Sequence, residues 1–149
     1  MYHSIIFIDG NVSRNTWDHW HLIPSSRPVV SRPNPVYKYV DIPGMDGSLD
    51  ITNYLVGRPT YSDCTGTFEF IAANDEPSYG DWTFRKSTIS SFLDGREMKM
   101  VLEDDSQHYY IGRFFMKNWQ SGPNYSTVTI EYRVKPYKFR SYNGEKVWA

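Results

Sequence analysis

Tyr125-Ser126-Thr127-Val128-Thr129-Ile130-Glu131-Tyr132-Arg133-Val134 is the stretch on which the fold turns, because Ser126, Val128, Ile130, Tyr132 and Val134 all recur at every second position. Successive side chains of a strand point to opposite faces, so this period of two places those five residues on one face of a strand. Upstream, Gln120-Ser121-Gly122-Pro123-Asn124 forms a turn rich in breakers. Before the turn, His108 to Met116 reads as a strand, entered through the acidic turn Glu103-Asp104-Asp105-Ser106. Glu97 to Leu102 is a third strand, with Met98, Met100 and Leu102 together on one side. Consecutive strands joined by short turns form an antiparallel meander.

Further upstream, Asp81 to Leu93 is the one good helix candidate. Asp81 can accept a hydrogen bond as N-cap, and Gly95 lies where a left-handed exit residue belongs. Trp82, Arg85, Ile89, Phe92 and Leu93 recur at spacings of three and four, giving an amphipathic face that packs on a sheet. Thr65 to Ile71 alternates again, with Phe68 and Phe70 on one face and Thr67 and Glu69 on the other. At the start of the chain, Ser4-Ile5-Ile6-Phe7-Ile8 is a short apolar strand ending in the hairpin-type pair Asp9-Gly10. Asn11 to Ile23 fits a strand pair or an ordered loop. Pro24 to Pro35 holds too many prolines for a helix or a central strand and reads as an extended surface connector. Val36 to Ile42 alternates as a strand. It leads into Val40-Asp41-Ile42-Pro43-Gly44-Met45-Asp46-Gly47-Ser48-Leu49-Asp50-Ile51-Thr52, where Pro-Gly and Asp-Gly pairs make a tight, rigid corner. The expected class is α+β, mainly β: a β-sandwich with one packed helix.

Bulk composition agrees. A chain of 149 residues suits one domain, which buries roughly two-thirds of its unfolded surface. Aromatics reach 17%, more than a helical bundle needs and typical of sheet-rich domains. A net charge of −1 offers no excess of cations to neutralise phosphates, which argues against nucleic-acid and membrane-surface binding. No apolar run approaches the roughly 20 residues of a membrane span, and Ser4 to Ile8 is too short for a signal-peptide core. The single cysteine, Cys64, excludes an internal disulfide and suits a reducing compartment.

Chemistry finds little foothold. His19 and His21 flank Trp20, and in a strand both imidazoles would share a face, but a zinc site needs a third good ligand. Amphipathic side chains on an aromatic surface are the favoured reading. Glu103-Asp104-Asp105 lacks the spacing and glycine of a calcium loop and reads as a solvated hairpin tip. Cys64 has no adjacent histidine and reads as a core thiol. There is no Gly-rich phosphate loop and no nucleophile elbow. No metal and no cofactor is expected, and the protein is expected not to be an enzyme. One rival remains open: a carbohydrate-binding β-sandwich module stacking sugars on Trp17 and Trp20.

Four segments, in order, carry a resemblance. Thr16-Trp17-Asp18-His19-Trp20-His21-Leu22-Ile23-Pro24 is similar to the amino-terminal segment of the distal tail protein (Dit) family of long-tailed bacteriophages and prophages. Ile42 to Thr52 resembles that family's most recognisable run. Leu93-Asp94-Gly95 through Asp105, followed by Tyr109-Tyr110-Ile111-Gly112-Arg113, resembles its unit of helix, strand, acidic turn and strand. Tyr132 to Lys138 resembles the segment that closes its amino-terminal domain.

The resemblance implies a ring-forming domain over residues 1–140 with a projecting β-hairpin. Residues 141–149 would then be a tail or the start of a second, galectin-like domain that this chain lacks. It implies a homo-hexameric ring at the phage tail tip, assembled in the host cytoplasm. That ring connects the tail tube protein to the baseplate hub or tail-associated protein, with the tape measure protein and a receptor-binding protein as further partners. Trp17, Trp20, Met45, Asp46, Tyr109 and Tyr110 are the expected interface residues. A six-fold ring repeats one heterologous contact until it closes, each contact burying on the order of 1,000 Å².

Overall fold

The computed structural model describes residues 3–54, 57–76 and 80–148. In chain order the strands before the helix are β1 (Ile5–Asp9), β2 (Val12–Asn15), β3 (Ile23–Pro24), β4 (Pro35–Val36), β5 (Tyr39–Val40), β6 (Leu49–Asp50), β7 (Thr60–Tyr61), β8 (Cys64–Ala73), β9 (Asp75–Glu76) and β10 (Gly80–Asp81). Helix α1 (Trp82–Phe92) follows, then β11 (Asp94–Leu102), β12 (His108–Ser121), β13 (Tyr125–Val134), β14 (Tyr137–Arg140) and β15 (Lys146–Trp148). The expected α+β, mainly-β arrangement with one packed helix and a projecting hairpin is what the chain forms.

Nine of its strands hydrogen-bond as one antiparallel sheet in the order β2-β1-β11-β12-β13-β8-β3, with β14 and β15 attached beside β12. Separate two-stranded ladders join β4 with β7, β5 with β6 and β9 with β10. β14 prolongs the line of β13 along β12: Val134 lies opposite Gly112 and Arg140 opposite His108. The break between them falls at Pro136, which has no N–H to give the ladder. The hairpin β14–β15 thus places Lys146–Trp148 against the same sheet.

The inner face of this sheet holds the core. Ile5 and Phe7, then Met98, Met100 and Leu102, then Tyr110 and Phe114, then Val128, Ile130, Tyr132 and Val134, then Phe68 and Phe70 are all buried. Each buried Val, Ile or Phe contributes about 1.5–3 kcal/mol of transfer free energy, which is why register is unambiguous where alternation is strict. β12 runs further than its pattern suggests because its ladder shifts between Met116 and Asn118. The extra residue reverses the alternation and turns Trp119 inward, where it is buried.

Helix α1 covers this face. Asp81 caps it by accepting the Phe84 N–H at 2.9 Å, and Gly95 follows with φ +71°. Arg85, Ile89 and Leu93 are buried, with Trp82 and Phe92 packed against the core, the face expected from their spacing. The rest of the cover is the Asn15 to Leu22 segment, which leaves β2 on one edge of the sheet and reaches β3 at the other. It is a turn rather than a strand: Asn15 Oδ1 accepts the Trp17 and Asp18 N–H groups, and the His21 N–H donates to the Trp17 carbonyl. Trp20 inserts from it into the core, 6.1 Å from Phe7 and 5.7 Å from Phe92 between ring centroids. A buried guanidinium costs free energy unless its donors are used. Arg85 donates to the carbonyls of Trp20 and Ala73, tying helix, crossing segment and β8 together. The proline-rich connector runs over the surface but is pinned at Val30, which is buried, and at Ser31, whose N–H donates to the Tyr132 hydroxyl.

The acidic turn is not the solvated tip expected from its composition. Glu103 accepts the Ser4 N–H and hydroxyl, both at 2.8 Å. His3 Nδ1 lies 2.8 Å from Asp104, with Arg27 3.7 Å away on the other oxygen. Asp105 sits between His108 at 2.7 Å and Lys138 at 2.5 Å. Three consecutive acids therefore latch the start of β1 and the strand β14 to one 3₁₀ turn, a convergence of distant segments that no local pattern announces.

Two expected outcomes follow from these contacts. At Gly112 an added Cβ would lie 2.3 Å from the Arg133 carbonyl oxygen and 2.6 Å from Val134 Cα, both backbone atoms. Gly112→Ala is therefore expected to destabilise by about 2–3 kcal/mol in urea denaturation; a loss under about 0.5 kcal/mol would show that these strands separate freely. The second concerns acid. Ser4, through its N–H and then its hydroxyl, holds the Glu103 carboxyl below its ordinary 4.5, and burial of Asp105 is outweighed by Lys138 and His108, which hold it below 3.8. Depressed carboxylates take up protons in the unfolded chain first, so their stabilisation is complete above pH 4.5 and is lost as pH falls through the folded values. The urea midpoint should drop between pH 5 and pH 3, and drop less in Lys138→Met; equal acid sensitivity of the two proteins would count against the latch.

Candidate functional site

From Val36 to Asp50 every residue is exposed. This stretch, with the return to Tyr61, is an arm. Its base is the ladder of β4 with β7, Pro35 opposite Tyr61 and Val36 opposite Thr60. Its outer part is the ladder of β5 with β6, Tyr39 opposite Asp50 and Val40 opposite Leu49. The Ser62 N–H donates to the Asn34 carbonyl at 2.9 Å and closes the root. From Pro35 to Gly44 the chain can reach about 30 Å if extended, twice the roughly 15 Å radius of gyration of a domain this size.

The tip carries out the corner read from its sequence. The Met45 N–H donates to the Ile42 carbonyl at 3.1 Å, and Gly44 after Pro43 has φ +83°, the geometry of a type II turn. Gly47 follows with φ +74°, and the Ser48 hydroxyl donates to Asp41 across the tip. Behind the tip, Thr52 donates to Asp50 through its N–H at 2.9 Å and accepts the Lys38 N–H at 2.9 Å. The Thr52 hydroxyl and then its N–H hold the Asp50 carboxyl below its ordinary value.

Apolar side chains crowd this arm without a core to enter. Of the seventeen large hydrophobic residues exposed among the described ones, nine lie between Val36 and Tyr61, including Tyr39 at 59% and Tyr54 at 83%. Tyr37 and Tyr39 stand 6.3 Å apart by ring centroid. Single exposed apolar residues are ordinary; a contiguous set on a projecting element marks an interaction surface. The one strand expected over Val36 to Ile42 is instead two short ones, β4 and β5, interrupted at Tyr37 and Lys38. With apolar residues on both of its faces the segment has no water side, and that was the available signal.

The six residues expected at an interface fall in four places. Met45 and Asp46 are at the exposed tip. Tyr109 is half-buried on the outer face of the sheet, its ring 5.3 Å from Phe139 and under the Lys99 ammonium at 4.9 Å. Trp17 is half-buried and stacks on His21 at 3.9 Å. Trp20 and Tyr110, by contrast, are 3% and 5% exposed and belong to the domain's own core. Burial pushes the Tyr110 phenol up to about 12. Alternation put Tyr110 on the inward face that also carries Phe114, and the turn at Asn15 rotated Trp20 under the sheet; neither presents a surface to a neighbour or to a sugar.

The other chemical candidates are equally placed. His19 Nδ1 accepts the Asn15 N–H at 2.9 Å, and His21 faces Trp17. The turn has replaced the strand that would have aligned them. Cys64 is buried, its thiol pushed up by desolvation and then by Asp63. Among the described residues no three His, Cys, Asp or Glu side chains gather as a metal set. A surface cleft of about 330 Å³ is lined by Ser26, Arg27, Pro28, Val29, Thr67, Phe68 and Glu69, and neither hydroxyl there hydrogen-bonds the Glu69 carboxylate.

The fold therefore defines a class: a helix-backed antiparallel sheet domain that projects a two-stranded, apolar arm. No protein-family profile matches the sequence, and no curated protein matches it significantly. Among solved structures, it is similar to the SPP1 Dit (gp 19.1) protein, whose structure is described as a paradigm of the hub adsorption apparatus in phages infecting Gram-positive bacteria. The TM-score is 0.64 at 16% identity, over 94% of this chain and 53% of that one. The chain thus spans about half the length of that protein and shares its fold over that span.

The placement of these residues has a direct readout. Tyr39→Ser and Met45→Ser are expected to change unfolding free energy by less than about 0.5 kcal/mol, whereas Trp20→Ala should cost about 3–5 kcal/mol. Comparable losses at Met45 and Trp20 in thermal and urea melts would contradict an arm that stands clear of the core.

Proposed function

We propose that this chain is a non-catalytic structural component of a phage or prophage tail tip. Six copies form a ring that connects the tail tube to the hub and adhesin apparatus, with the tube, tape-measure and hub proteins as partners. Residues 1–140 are the ring-forming unit, and residues 141–149 lead toward the position where distal tail proteins carry a second domain. The observation that carries the reading is the exposed apolar arm, on a fold similar to SPP1 Dit. An arm that leaves its apolar groups in water gains by covering them, and a contact between unlike patches of identical subunits is repeated around a ring until it closes. The corner at Ile42 to Gly47 limits the backbone freedom of the contact and with it the error of closure.

Light scattering on the purified chain, alone and mixed with the tube and hub proteins of the same tail, tests the assignment. The expected species has six times the 17.5 kDa subunit mass. Monomers alone under every one of those conditions would overturn it.

A further inference from the structure

On the reading that the arm joins copies of this chain, we propose where it lands: the acidic arm tip of one copy docks on a cation-rimmed patch around Ile111, on the outer face of the next copy's sheet.

The tip is electrostatically one-sided. Tyr39 to Thr52 contains Asp41, Asp46 and Asp50 and no lysine or arginine. Ser48 and Thr52 engage the outer two of these carboxylates, and Asp46, between Met45 and Gly47, makes no hydrogen bond or ion pair among the described residues. Ile42 and Met45, exposed at 43% and 44%, stand beside it. A docking site for this tip needs cations around an apolar floor.

The outer sheet face supplies both. Ile111 is half-buried on β12, with Lys99 opposite it on β11 and the Lys135 N–H donating to its carbonyl at 3.0 Å. Two residues on, Arg113 lies directly opposite Arg133. Like charges placed opposite each other across a ladder are destabilising, so this pair needs negative charge nearby. Asp63 reaches Arg133 at 2.9 Å, while Arg113 donates to the Gly95 carbonyl at 2.9 Å and Glu97 lies opposite it. Four cations against these two acids and against Glu131, two residues from Arg133 on the same face, still leave the patch positive in a chain whose net charge is −1. Ile111, Arg113, Arg133 and Lys135 line an open cleft there of about 190 Å³, and the Lys135 side chain has no hydrogen bond or ion pair among the described residues.

The subunit does not fill its own patch. Asp63 roots the arm at the margin of the cleft, and from there every residue from Val36 to Asp50 is exposed, so the tip stands clear of the face beside which it begins. A tip that leaves one patch and fits another of the same kind makes a heterologous contact, the kind that propagates around a ring.

Charge reversal tests the pairing. Asp46→Lys and Lys135→Glu should each weaken self-association at least about tenfold, as close charge pairs at interfaces do. The two substitutions in one chain should restore assembly to within about threefold of wild type. Both positions are exposed, and matching circular dichroism checks that the variants fold. A second arm pairs Asp46→Cys with Lys135→Cys. Mild oxidation should then give a ladder of disulfide-linked chains, with buried Cys64 a silent bystander. Rings of full size in both single variants, with no ladder, would sink this docking site while leaving the ring assignment intact. Monomers in wild type under all conditions would sink both. Fluorescence anisotropy with a short DNA duplex closes the remaining route: binding that Lys135→Glu abolishes while assembly is unchanged would give the patch to phosphate and overturn the proposal.

Discussion

An antiparallel sheet can bury apolar side chains on one face only if something covers it, and among the described residues no part of the arm from Val36 to Tyr61 belongs to that core. Helix α1 and the Asn15 to Leu22 crossing occupy that face, with Trp20 between Phe7 and Phe92 and Arg85 binding helix to crossing and to β8 through two carbonyls. The large apolar residues described between Val36 and Tyr61, from Val36 and Tyr37 to Tyr54 and Tyr61, stay outside that core. The projecting arm therefore leaves its tyrosines and aliphatics in water.

Stiffness in this arm is local rather than global. Its two ladders are each a pair of residues long, and an isolated two-stranded ribbon is marginal in water. The tip is better defined than the shaft, because Gly44 and Gly47 take left-handed conformations that fix the turn while Ser48 and Thr52 satisfy the flanking carboxylates. Such a part keeps the shape of its contact surface and can still adjust its angle. Its root is tied to the sheet through Asp63 and Arg133, beside the basic patch, so the arm and its proposed landing site share one margin of the domain.

Charged and polar groups that could have suggested chemistry are instead used to hold the domain together. The carboxylates of Glu103, Asp104 and Asp105 join the chain start, the turn and β14. His19 accepts a backbone N–H, and the Cys64 thiol lies in the core. The aromatic residues divide in the same way. Trp20, Trp119, Tyr110 and Tyr132 are core, while Tyr37, Tyr39 and Tyr54 stand on the arm.

What the sequence by itself determined is whatever rests on near neighbours along the chain. The alternation of Tyr125 to Val134 and Thr65 to Ile71 set the inward faces of β13 and β8. Asp81 opened the helix, whose end falls at Leu93, two residues before the left-handed Gly95 in β11, and Pro43-Gly44 with Asp46-Gly47 made the corner. These depend on side-chain period and on backbone conformations only some residues adopt. Tertiary structure decided the rest. A one-residue bulge after Met116 reversed the facing of Trp119, and a turn nucleated by Asn15 carried Trp20 under the sheet. Partners about a hundred positions distant converted an acidic turn into a latch. Burial depends on which elements reach a surface first, and that competition among distant segments is invisible to any local pattern; it is why Trp20 ended inside and Tyr39 outside.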